Sequence, residues 1–143
     1  MTPAKTSSER WLSILLRIGG VVMLTAFGAV FMPTDWMAAA HQQLGLGEFP
    51  TSPLVDYLTR SASALYTIYG GLYLVVASDV RRFARVIVYL ATVNIVFGLL
   101  MVAIDLHAGL PLYWILGEGP PVVAFGVILL LLLKSVPPQP TNL

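Results

Sequence analysis

The chain has 143 residues, of which 57% are hydrophobic and 10% charged, with a net charge of +1 and mean hydropathy +0.83. Soluble domains carry about 25% charged residues, so this composition excludes an ordinary soluble globular domain and a disordered chain. It also excludes a nucleic-acid binder, which needs a basic surface. With no cysteine, disulfides, thiolate metal sites and thiol nucleophiles are ruled out as well.

Four apolar stretches carry the mass, at 11–31, 60–78, 86–104 and 112–133. Each runs about 19–22 residues, enough to cross a ~30 Å hydrocarbon core as a helix rising 1.5 Å per residue. The expected fold is all-α: an antiparallel bundle of four transmembrane helices forming a single membrane domain over residues 1–143, with a short external interfacial helix.

Lys5, Arg10 and Arg17 precede or open the first span. Arg81, Arg82 and Arg85 fill the link between spans two and three, and Lys134 closes span four. Only Arg60 lies on the other side, which holds Asp35, Glu48, Asp56, Asp105 and Glu118. The excess of Lys and Arg on cytoplasmic loops puts both termini inside. The first apolar run exceeds the 7–15 residues of a signal-peptide core, so it reads as a retained span. The link over 32–58 is then external. Within it, Thr34 as N-cap and Gly45 as stop bracket a short helix. Trp36, Met37, Ala40 and Leu44 share a face of that helix suited to the membrane interface. Ser52-Pro53 reads as a helix start with proline at the first position.

On span two, Arg60, Ser63, Thr67, Gly70 and Gly71 cluster on one side, adjoined by Tyr66, Tyr69 and Tyr73. Leu65, Ile68, Leu72 and Val75 take the opposite, lipid-facing side. Ser63, Thr67 and Gly71 form a small-residue seam suited to close helix packing. The alternative use of this side is a tyrosine-lined pocket for an apolar ligand with a polar head. On span three, Asn94, Gly98, Met101 and Asp105 fall on one stripe. The Asn94 amide lies near mid-membrane and needs a partner, for which Thr67 or a span-two tyrosine is expected.

Span four contains Gly117-Glu118-Gly119-Pro120-Pro121, expected to disrupt the helix. Glu118, an ionisable group inside a span, is a functional-site candidate, with Arg60 as its expected partner and Asp105 competing for it. Two readings of this outer layer stand open. In one, Arg60 pairs with Glu118 or Asp105 and fastens the outer end of the bundle. In the other, Arg60, Glu118, Asp105, Tyr66, Tyr69, Asn94 and His107 surround a binding cavity open to the external side. Asp105-x-His107 with Glu118 and His41 matches no specific metal motif, and no metal or catalytic residue is assigned. Neither histidine reaches mid-membrane, where a bis-histidine haem is held, and phosphate-loop and hydrolase motifs are missing. The cofactor is left open.

The four short spans, the Arg-Ile-Gly-Gly opening at Arg17 to Gly20 and the polar external link resemble the DoxX-like group of small membrane proteins. Tyr57-Leu58-Thr59-Arg60 at the start of span two, with Glu118-Gly119-Pro120-Pro121, is similar to uncharacterised four-span bacterial proteins. The resemblance implies a four-helix bundle in a bacterial inner membrane, sometimes attached to redox systems, and carries over no catalytic residue. The expected function is a non-enzymatic accessory or interaction subunit of a membrane assembly. The alternative is a binder or carrier of a lipophilic small molecule, with an enzyme in third place. Expected partners are membrane lipid and either a homo-oligomer or a larger membrane complex, with no nucleic acid.

Overall fold

A computed structural model describes residues 6–137, all helix, turn or connecting loop. Lys5 and most of the proline-rich tail at 138–143, expected to be a loose cytoplasmic end, lie outside the described residues. The helices are α1 (Ser7–Leu24), α2 (Phe27–Val30), α3 (Thr34–Gln43), α4 (Pro53–Ser78), α5 (Ala84–Ala108) and α6 (Leu112–Lys134). Among the described residues, four stretches are long and apolar enough to cross a membrane: Ser7–Val30, Pro53–Ser78, Ala84–Ala108 and Leu112–Lys134, with mean hydropathy from 1.2 to 2.5. Only 17–22% of the residues in each apolar window are buried, so most of this apolar surface faces outward.

The ends of the helices follow from local chemistry. Thr6 and Glu9 form a reciprocal capping box, with Glu9 N–H donating to Thr6 Oγ1 (3.3 Å) and Thr6 N–H to Glu9 Oε2 (3.2 Å). Ser52 Oγ accepts from Val55 N–H at 3.2 Å, and Pro53 fills the first position of α4, as its sequence indicates. That start lies seven residues before the expected span boundary at Arg60. Gly45 (φ 72°) and Gly109 (φ 70°) end α3 and α5 in the left-handed region. The paired bonds Leu46 N–H to His41 O with Gly45 N–H to Gln42 O satisfy the last carbonyls of α3. Leu110 N–H to Asp105 O and Gly109 N–H to Leu106 O do the same for α5. At the start of α3, Pro33 and not Thr34 occupies the cap position, because the Thr34 hydroxyl is drawn to Asp56 Oδ1 at 3.3 Å.

Two sequence expectations need correction here. The segment from Gly117 to Pro121 does not break α6, which runs unbroken from Leu112 to Lys134 with both prolines inside. A proline deletes one backbone donor and crowds the carbonyl four residues back. For Pro121 that carbonyl belongs to Gly117, which has no side chain to add to the crowding. The small-residue seam of α4 is also shifted. Gly70, not Gly71, makes the close approach, since a Cβ on Gly70 would lie 2.7 Å from Gly20 O whereas one on Gly71 would meet nothing within 4 Å.

Contacts group the chain into two compact units, residues 6–16 with 75–137 and Arg17–Leu74. In the first, α5 and α6 pack antiparallel through glycines. A Cβ on Gly98 would lie 2.7 Å from Gly119 O, and one on Gly126 would lie 2.5 Å from Ala91 O. Leu12, Leu16, Val76, Ala77, Ile87, Leu90, Ala91 and Leu129 of this unit are buried. Ser13 Oγ donates to Ala77 O at 2.7 Å, tying the start of α1 to the end of α4. In the second unit, Gly20 meets Gly70 and Leu74, and Gly70 meets Leu24, so the later part of α1 runs antiparallel to α4. Close backbone approach through small residues is how helices gain packing contact where no hydrophobic drive separates lipid from protein.

Candidate functional site

The polar residues singled out in the sequence divide between the two units. Arg60, Tyr66 and Tyr69 belong to Arg17–Leu74, whereas Asn94, Asp105, His107 and Glu118 belong to the other unit. Each set has its own geometry.

In the first set, Arg60 lies two turns into α4. Its Nε donates to Asp56 Oδ2 at 2.9 Å, an i,i+4 ion pair, and its Nη1 donates to Val30 O at 2.6 Å. The carbonyl of Val30 belongs to the end of α2, where backbone acceptors lack intrahelical donors and favour a cation. Asp56 in turn accepts from Thr34 at the start of α3. One guanidinium and one carboxylate thus join the end of α2, the start of α3 and the first turns of α4. The sequence reading gave Arg60 to Glu118 or Asp105; its ion-pair partner is Asp56, which that reading left unassigned although it lies at i,i+4 spacing. Tyr66 and Tyr69 are each 38% exposed on α4, while Thr67 Oγ1 donates to its own helix at Ser63 O (2.9 Å).

In the second set, Asp105 and Glu118 come from α5 and α6 and lie within electrostatic reach of each other. Trp114 and Glu118 stand at i,i+4, on one face of α6. Asp105 is only 2% exposed, and its Oδ2 has no hydrogen-bond partner among the described residues. A buried carboxylate oxygen left unmatched is costly. Such an orphan in a native fold calls for a reason. His107, two residues on and about 200° round the helix, is exposed, so Asp105-x-His107 presents its two side chains to different surroundings. Asn94 Nδ2 donates to Leu90 O, at 2.8 Å on its own helix.

A third polar cluster, missed in the sequence reading, joins Glu9 and Arg81. They form an ion pair in which the Glu9 side chain is 2% and the Arg81 side chain 18% exposed. The signal was present: Thr6-x-x-Glu9 is a capping-box pattern, and Glu9 is an acid among the basic residues of its end. No group of three or more His, Cys, Asp or Glu side chains suited to a metal ion occurs among the described residues. His41 is engaged locally, its Nδ1 3.2 Å from Gly47 O and its ring edge-on to Phe49 with centroids 5.4 Å apart.

No protein family, no curated protein and no solved structure matches the chain. The DoxX-like resemblance therefore rests on the short motifs quoted above and on nothing further.

Proposed function

We propose that the chain is a four-span integral protein of a bacterial inner membrane with both termini cytoplasmic, acting as a non-enzymatic accessory subunit of a larger membrane assembly. The observation that carries this reading is the outward face of α4. Tyr57, Leu65 and Ile68 are 65%, 60% and 68% exposed, and Tyr69, expected beside the polar side of α4, stands next to Leu65 and is 38% exposed. Lipid tails cover leucine and isoleucine without loss, but they offer a phenol no hydrogen-bond acceptor. Tyr69 lies well inside the Pro53–Ser78 span, so a neighbouring helix supplies what lipid does not.

The reading is tested by placing a photo-crosslinking amino acid at Ile68 and, separately, at Leu99, which is 59% exposed on α5. Irradiation in the native membrane is expected to give a discrete heavier protein adduct from Ile68 and none from Leu99. Lipid adducts alone from both positions would contradict it.

A second reading is favoured by the orphaned oxygen of Asp105. In it, the chain binds a lipophilic molecule whose head carries a hydrogen-bond donor or a positive charge, taken up by Asp105 beside Glu118. The discriminating measurement is native mass spectrometry from mild detergent. A bound small molecule that is lost in Asp105→Asn supports this second reading, and co-purifying subunits that persist in that variant support the first.

A further inference from the structure

We infer that a groove between α5 and α6 at the basic end of the chain seats one anionic phospholipid, its acyl chain against the groove wall and its phosphate on Lys134 and Arg85. The inference rests on the membrane reading above. The groove has a volume of about 480 Å³ and is lined by Val88 of α5 and by Val127, Leu130, Leu131, Leu133 and Lys134 of α6. Val127, Leu130, Leu131 and Lys134 stand at i, i+3, i+4 and i+7, one continuous face of α6. The walls are open to the outside, with Val88, Val127 and Leu131 exposed by 46%, 41% and 57%. An apolar, outward-facing slot that ends in an ammonium group has the chemistry of a lipid: tail first, phosphate last.

Charge decides which lipid. Arg85 is exposed and stands three residues before Val88, on the same side of α5 and one turn closer to the basic end. The antiparallel pairing of Gly98 with Gly119 and of Ala91 with Gly126 brings the level of Arg85 close to the last turn of α6, where Lys134 lies. The neighbouring arginines are otherwise engaged. Arg81 is paired with Glu9, and the Arg82 guanidinium lies over the Phe83 ring, 5.5 Å from its centre. Lys134 therefore lines the slot, and Arg85 stands one turn beyond Val88 at about the same level. Basic pockets between membrane helices on the cytoplasmic side hold anionic head groups, at about a fivefold gain in affinity for each Lys or Arg.

The experiment uses the full chain in mild detergent with phosphatidylglycerol or phosphatidylcholine added, and reads retained lipid by native mass spectrometry. Phosphatidylglycerol is expected to be retained in preference to phosphatidylcholine. Lys134→Gln and Arg85→Gln are each expected to reduce that retention about fivefold, while Arg82→Gln leaves it unchanged. Equal retention of the two lipids would overturn the inference, as would an Arg82→Gln loss equal to that of Lys134→Gln, the mark of diffuse charge attraction. A phosphatidylglycerol with a photoreactive acyl chain gives a second check on the unaltered protein. Adducts on Val88 or within 127–133 are expected, and adducts confined to other segments would refute the groove. A chain that leaves the membrane without detergent defeats the membrane reading itself, whereas a detergent-requiring chain without lipid preference defeats only the groove.

Discussion

Glu9 and Asp105 are buried to a similar degree, at 1% and 2% exposure, and differ in what faces them. Glu9 is answered by Thr6 and Arg81, whereas Asp105 retains an oxygen with no donor among the described residues. Removing one member of a buried pair strands the other charge, which costs 3–5 kcal/mol where both are fully buried. Because the Arg81 side chain is 18% exposed, water offsets part of that loss, and Glu9→Gln is expected to destabilise by about 2–3 kcal/mol. The double variant with Arg81→Gln is expected to recover much of this, read as unfolding midpoints in mixed detergent. Asp105→Asn should act oppositely, since it strands no ion-pair partner and keeps the shape, so its midpoint is expected to equal or exceed that of the unaltered chain. A clear drop would mean that Asp105 is matched by a bound group. The sequence marked Asp105 as special but could not name Asp56 as the partner of Arg60. The expected pairing joined Arg60 to acids on other spans and passed over the carboxylate one turn away on the same helix.

At the scale of helices, glycines decide where backbones meet. In Gly119 an added methyl would lie 2.6 Å from Gly98 O and 2.5 Å from Val102 Cγ2, whereas in Gly117 it would meet nothing within 4 Å. Gly119→Ala is therefore expected to force α5 and α6 apart, costing about 1–3 kcal/mol as an overpacked contact. Gly117→Ala is expected to be neutral or to stabilise by up to about 1 kcal/mol through helix propensity. Thermal unfolding of the two variants in detergent, side by side, checks the contrast, and equal effects would contradict this account of the α5–α6 contact. The sequence exposed these glycines but not their use. Gly19-Gly20 and Gly70-Gly71 are two glycine pairs fifty residues apart, and the structure turns one member of each toward the other. Gly119 read as part of a helix-disrupting segment because two prolines follow it. Its role depends on Gly98, twenty-one residues earlier, and local pattern carries no information about that distance.

At the scale of the whole chain, the four long apolar helices were legible because length and hydropathy are local properties that burial does not have to confirm. Their ends were less so. The early start of α4 at Pro53 was marked by Ser52-Pro53, yet the polar residues Asp56 and Arg60 drew the expected span boundary inward. An even number of crossings leaves both ends of the chain on one side of a bilayer and the link after the first span on the other. The chain has no cysteine, so single cysteines report position without background. Gln42→Cys, exposed at the end of α3, and Ser135→Cys, exposed just after α6, are to be labelled in spheroplasts with a membrane-impermeant maleimide. Labelling of Gln42→Cys at once and of Ser135→Cys only after lysis is the expected result, and equal labelling of both before lysis, or recovery of the chain in the soluble fraction, would contradict it.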